Sequence, residues 1–229
     1  MFCIPIIARN TEKAIEKISE AEKYADICEI RLDLMESYRL DRILKSAEKP
    51  VIVTCRSQKE GGKSKADPPD VSDRLIMAAE EGADYIDVEL SLPDKWRQKV
   101  IQNSRDSRII ISSHITENTP SMSDLKSLLN DSIAAGGNIV KIVSMAKKWE
   151  DNLRMLKLVN KAKEKDINII SFCMGSLGRI SRVCSLIMGG YLTFASLDSG
   201  QESAPGQMTV YEMKKTIEIL TDNKQMKRV

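Results

Sequence analysis

Asn138-Ile139-Val140-Lys141-Ile142-Val143-Ser144 follows the glycine pair Gly136-Gly137 and sets one lysine among mostly β-branched residues. The run is short and apolar, as strands are. Lysine is depleted in strands, above all in strands covered on both faces. Two settings fit. An edge strand would let the lysine reach water. A covered strand would strip its hydration and disfavour the ammonium, leaving an amine able to attack a carbonyl and form a Schiff base. The flanking sequence chooses between them.

The same strand-then-helix unit recurs in both directions. Upstream, residues 121–135 read as a helix stopped at Gly136-Gly137. Downstream, residues 149–164 read as a helix and 167–172 as the next strand. Toward the N-terminus the strands are 2–8, 27–32, 51–55, 85–90 and 109–113. Between them lie helical patterns after Thr11, a plausible N-cap, then at 40–46, 71–81 and 93–103, the last with Pro93 in its first turn. Residues 56–69 form a polar, glycine-bearing loop. Toward the C-terminus come a helix at 176–187, a strand at 191–196 and a closing helix at 209–221. Eight strands alternate with eight helices. Strands joined by helical crossovers are parallel, and eight such units close into a (β/α)8 TIM barrel, the expected α/β fold. An open doubly wound sheet is the rival, but no Gly-x-Gly-x-x-Gly follows the first strand. One barrel domain over residues 1–229 is expected.

Hydrophobic residues make up 42% and charged residues 30%, a balance suited to a packed core rather than to disorder. With 35 basic and 33 acidic residues the formal charge is +2, which gives no general footprint for nucleic acid or membrane. The basic tail, residues 224–228, reads as a solvated end. Cys3, Cys28, Cys55, Cys173 and Cys184 are odd in number and scattered, so neither a disulfide framework nor a zinc site is expected. The N-terminus lacks a signal-peptide pattern, and no run approaches the ~18 apolar residues of a membrane span. A cytoplasmic location is expected.

Alternation within strands sharpens the reading. In residues 27–33, Glu29, Arg31 and Asp33 share one face, opposite Cys28, Ile30 and Leu32. In residues 85–90, Tyr85, Asp87 and Glu89 oppose Ile86, Val88 and Leu90. In a barrel the apolar set packs on the helices, so the charged set lines the lumen. Barrel enzymes place their chemistry at the C-terminal strand ends, where Glu29, Arg31, Arg56, Glu89 and His114 fall. His114 is the only histidine and suits acid–base work near neutral pH. Ile110, Ser112 and His114 share one face of the fifth strand, and Ile139, Lys141 and Val143 one face of the sixth. Topology lets His114 and Lys141 converge.

Six segments, each after its expected strand, carry a resemblance. They are Glu29-Ile30-Arg31-Leu32-Asp33, Arg56-Ser57-Gln58-Lys59-Glu60-Gly61-Gly62 and Ser112-Ser113-His114, then Val140-Lys141-Ile142, Gly178-Arg179-Ile180-Ser181-Arg182 and Ser203-Ala204-Pro205-Gly206-Gln207. Together they resemble the type I 3-dehydroquinate dehydratases, Schiff-base-forming lyases of the shikimate pathway. The resemblance implies a barrel that converts 3-dehydroquinate to 3-dehydroshikimate and water, with no metal or organic cofactor, in a homodimer. It implies Lys141 as the imine-forming residue, His114 as general acid and base, and Glu60 as the acid that orients the histidine. Arg182 would pair with the substrate carboxylate, Ser203 and Gln207 would complete that grip from a closing loop, and Glu29, Arg31 and Arg56 would hold the ring hydroxyls and carbonyl region. Arg179 reads as solvated. Phe172-Cys173-Met174 and the stretch 197–202 depart from some relatives, and the short N-terminus implies a differently covered barrel floor. The alternative is a class I aldolase, with the turn Gly175-Ser176-Leu177-Gly178 as its phosphate site.

Overall fold

The strand Ile27–Arg31 (β2) shows how the chain sorts its side chains. Cys28 and Ile30 join an outer core with Ala14 and Ile18 of the neighbouring helix, while Ile27 joins a separate inner layer with Cys3, Ile52, Tyr85, Ile110, Ile139 and Ile170. Period-two alternation feeds both layers. The computed structural model describes residues 1–104 and 106–221.

The other strands are β1 (Phe2–Ile6), β3 (Val51–Thr54), β4 (Tyr85–Glu89), β5 (Arg108–Ile115), β6 (Ile139–Met145), β7 (Asn168–Met174) and β8 (Thr193–Phe194). The helices are α1 (Thr11–Ala21), α2 (Leu40–Ser46), α3 (Pro68–Glu80), α4 (Asp94–Asn103), α5 (Met122–Ala134), α6 (Glu150–Lys163), α7 (Arg179–Ile187) and α8 (Val210–Leu220). All strand pairs are parallel, in the order β7-β6-β5-β4-β3-β2-β1-β8. Across the gap between β7 and β8, the Tyr191 N–H donates to the Ile169 carbonyl at 2.7 Å and the rings of Phe172 and Phe194 lie 6.2 Å apart. The sheet is a nearly closed (β/α)8 TIM barrel, as the alternation implies.

Local corrections have physical causes. Asn10, not Thr11, caps α1 by accepting the Lys13 N–H, while the Thr11 hydroxyl is buried and accepts the Arg39 N–H. Pro93 precedes α4 rather than entering its first turn. The expected helix 176–187 opens as a 3-10 turn, Ser176–Gly178, before α7. The expected strand 191–196 shrinks to two ladder residues, because Ser196 turns away to bond Met208 and Val210. Within the polar loop, Gln58–Glu60 forms a further 3-10 turn. The basic tail at 224–228 lies outside the described residues. Among the described residues no helix is long and apolar enough to cross a membrane, and all five cysteines are free.

Candidate active site

β6 carries Lys141 into the lumen, in register with Ser112 of β5, and only 3% of the residue stays exposed. Ile139 and Val143 wall it on the same face, as the alternation implies. Its nearest partners are carboxylates. Lys141 Nζ donates to Asp87 Oδ2 at 2.9 Å, lies 3.5 Å from Glu29 Oε1 and sits 4.2 Å from the centre of the Phe194 ring. The edge-strand alternative is overturned, since β6 pairs on both sides.

Arg56 is the hub of this charge network. Its Nη2 donates to Asp87 Oδ1 at 2.7 Å, and its Nη1 reaches Glu89 Oε1 at 3.0 Å, Ser112 Oγ at 2.9 Å and Glu60 Oε2 at 3.4 Å. Burial alone would push the Asp87 carboxyl up; Arg56 and then Lys141 overcome it and hold Asp87 well below the usual carboxylate range. Arg31 is likewise clamped, with both forks on Asp33 at 2.8 and 2.7 Å. Of the charged residues expected to face a substrate, Arg56 therefore turns both terminal nitrogens, and Arg31 its Nε and Nη2, onto groups of the protein itself.

His114 and Glu60 form a second unit. Glu60 Oε2 accepts both the His114 backbone N–H at 2.9 Å and the ring Nδ1 at 3.0 Å. The turn that brings Glu60 back needs Gly62, where an added Cβ would stand 2.2 Å from the Arg56 carbonyl oxygen. Burial, then the charges of Arg56 and Lys141, drive the His114 pKa well below its ordinary value, so the ring is neutral. Burial lifts Glu60 to about 7, with Arg56 opposing and Glu89 assisting.

Arg182, near the start of α7, is 1% exposed and has no acidic partner among the described residues. Its Nη2 donates to the Pro205 carbonyl at 3.3 Å, its guanidinium stacks 4.5 Å from the Phe172 ring, and its Nε has no partner. Burial lowers its pKa to about 10. Facing it, Ser203 and Gln207 bond each other, N–H to Oε1 at 2.7 Å and Nε2 to Oγ at 3.0 Å. The loop between them is docked on Gly175, whose N–H donates to Pro205 at 3.0 Å. The nine residues that the resemblance assigns to the site all border one cavity of about 250 Å³, while Glu89, also placed at that end by the strand pattern, lines a neighbouring one. Arg179 is exposed, as read.

A dry lumen with a lysine, a neutral histidine and an unpaired arginine around one small cavity is suited to imine chemistry on an anionic carbonyl compound. The model of the Type I 3-dehydroquinase family matches residues 2–224. The chain belongs to the type I 3-dehydroquinase family. With that membership it is an enzyme of the hydro-lyase class. It is 36% identical over 222 residues to the 3-dehydroquinate dehydratase of Methanococcus maripaludis strain C6, covering 96% of this chain and 100% of that protein. It is also 36% identical over 219 residues to the chloroplastic bifunctional 3-dehydroquinate dehydratase/shikimate dehydrogenase of Arabidopsis thaliana, covering 93% of this chain and spanning 36% of that longer protein. The crystal structure of the type I dehydratase of Clostridium difficile superposes with a TM-score of 0.85 at 28% identity, over 96% of this chain and 91% of that one. A 3-hexulose-6-phosphate synthase at TM-score 0.61 and 15% identity shares the fold alone.

Family membership sets the aldolase alternative aside. Its phosphate turn is also occupied from within, with the Gly175 N–H on Pro205 and the Gly178 N–H on the Gly175 carbonyl. Within the family site, the sequence reading placed Asp87 on the lumen face but gave it no partner. Phe194, over the amine, was missed altogether, since it carries no polar signal in the strand. No group of three or more metal-binding side chains occurs among the described residues.

Proposed function

We propose that this enzyme removes water from 3-dehydroquinate to give 3-dehydroshikimate, in the shikimate pathway, through an imine on Lys141 with His114 as general acid and base. The observation that carries the reading is the placement of buried Lys141, neutral His114 and unpaired Arg182 around one cavity. The similar Clostridium difficile enzyme was solved with covalently modified comenic acid, which fits covalent chemistry in this fold.

Arg182 takes the substrate carboxylate, a planar fork on a planar anion, assisted by Ser203 and Gln207. Lys141 passes a proton to His114 and attacks the C3 ketone. The adduct's oxygen takes one proton from the attacking nitrogen and one back from His114 and leaves as water, giving a protonated imine and a neutral His114. That cation occupies the place of the ammonium, so Asp87 faces positive charge in both states and needs no reorganisation. The imine draws electrons from C2, and His114 removes the C2 proton. Its new N–H then protonates the C1 hydroxyl, which departs as water while the C1–C2 double bond forms. A second water hydrolyses the imine and frees Lys141. Glu60 takes the Nδ1–H throughout, leaving Nε2 as the working nitrogen. Glu29, Arg31 and Arg56 border the ring of the substrate.

The proposal includes one catalytic domain over residues 1–229, supported by the pairing of β1 with β8, a cytoplasmic location, and a homodimer, the last resting on the family resemblance. The test of activity is turnover of 3-dehydroquinate, followed by formation of the conjugated enone product. A folded enzyme that leaves 3-dehydroquinate unchanged contradicts it.

A further inference from the structure

The two oxygens of Glu60 have different partners. Oε2 takes His114 twice and Arg56 at 3.4 Å. Oε1 takes a single donor, the Ser91 hydroxyl, at 2.7 Å. Ser91 stands in the turn just after β4, exposed to solvent, and does not border the substrate cavity. It borders a different cavity, shared with Ser57, Glu89 and Leu92.

We propose that Ser91 is a positioning residue for the acid–base pair: its hydroxyl holds the outer oxygen of Glu60 so that the inner oxygen stays on His114 Nδ1. This rests on the assignment of His114 as the acid and base. The terminal torsion of glutamate is broad, so a carboxylate bonded on one oxygen alone can swing. A donor on the opposite oxygen removes that freedom. It also favours the ionised carboxylate, the form that accepts Nδ1–H and leaves Nε2 basic. The other titratable groups around Glu60 are Arg56 at the end of β3, Asp87 and Glu89 of β4, and His114 of β5. Asp87 and Glu89 disfavour its ionisation and Arg56 favours it. Ser91 therefore adds to Arg56 against the two carboxylates.

The sign follows. Without the Ser91 hydroxyl the pair holds its proton to higher pH, and because the two groups are coupled the shift belongs to the pair. Ser91→Ala should move the acidic limb of the kcat profile upward by about one pH unit, a loss of roughly fivefold to tenfold below the limb. Rates should return to near wild type above it. KM should stay unchanged, and Ser91→Thr, which keeps the hydroxyl, should restore the profile. The experiment is the pH dependence of kcat and KM on 3-dehydroquinate for wild type and both variants. Superposed wild-type and Ser91→Ala profiles overturn the inference. So does a uniform loss at every pH, or a loss carried by KM, because a structural role would act that way. Absence of turnover in the wild type is a different result, since it removes the functional reading itself.

Discussion

Lys141 Nζ lies 2.9 Å from Asp87 Oδ2, with side-chain exposures of 4% and 0%. So dry a pair gains little net stability, because desolvating both ions offsets most of their attraction. Removing one partner is another matter. Asp87→Asn keeps the shape but leaves Lys141 and the Nη2 of Arg56 buried beside a neutral amide, and should cost about 3–5 kcal/mol of folding stability. The folded pKa of Asp87 is depressed, so its contribution is complete above the unfolded value near ~4 and fades as pH falls below it toward the folded value. Urea melts at neutral pH and near pH 3 should show the gap between wild type and variant narrowing with acid. A gap independent of pH would assign the loss to packing.

His114 is held by Glu60 through two bonds to one oxygen, and its removal should separate binding from proton transfer. His114→Ala should lower kcat by about 10²–10⁴, the range for loss of a general acid–base group. Borohydride should still trap an imine on Lys141, more slowly. Steady-state kinetics beside mass analysis of the trapped variant checks both.

Arg182 is a buried cation with one carbonyl contact and no acidic partner among the described residues, an arrangement that costs folding stability. Arg182→Met should leave Tm unchanged or raise it, while KM for 3-dehydroquinate rises about 10- to 100-fold, the worth of one hydrogen bond to a charged group. A fall in both Tm and affinity would show that Arg182 holds the fold.

The loop over the cavity docks backbone to backbone. Gly206 has φ +76°, and a Cβ there would stand 2.1 Å from the Gly175 carbonyl oxygen. Gly206→Ala should lift the loop and free Ser203 and Gln207 from their posts. The expected result is a kcat/KM lower by at least about tenfold with Tm nearly unchanged, as gating loops sit at the low-stability end of a fold. Unchanged kinetics would show that the loop has no part in binding.

Much of this site is legible because strands alternate with period two. The charged residues of Glu29-x-Arg31 and Asp87-x-Glu89 can share only one face, and glycine stops such as Gly136-Gly137 make the βα count visible. Lys141 can thus be placed in a covered strand before any coordinates. Contacts across the lumen are different. That Asp87 of β4 meets Lys141 of β6, or that Phe194 covers the amine, depends on how far neighbouring strands are staggered when the barrel closes. No single strand encodes that stagger. Arg182 lies on a helix, outside the strand alternation, so only the resemblance singles it out, and the packing of α7 on Phe172 shows it to be buried. Asn10 and Thr11 compete for one cap, and the choice falls to a tertiary bond between Thr11 and Arg39.

On the proposed mechanism, substrate carbon becomes bonded to Lys141 Nζ during turnover. Incubating the enzyme with 3-dehydroquinate, reducing with sodium borohydride and mapping the adduct by peptide mass spectrometry tests it. One product-sized adduct per chain is expected, on the peptide bearing Lys141, absent in Lys141→Ala along with activity. Turnover at wild-type rate with no adduct on that peptide would contradict the mechanism.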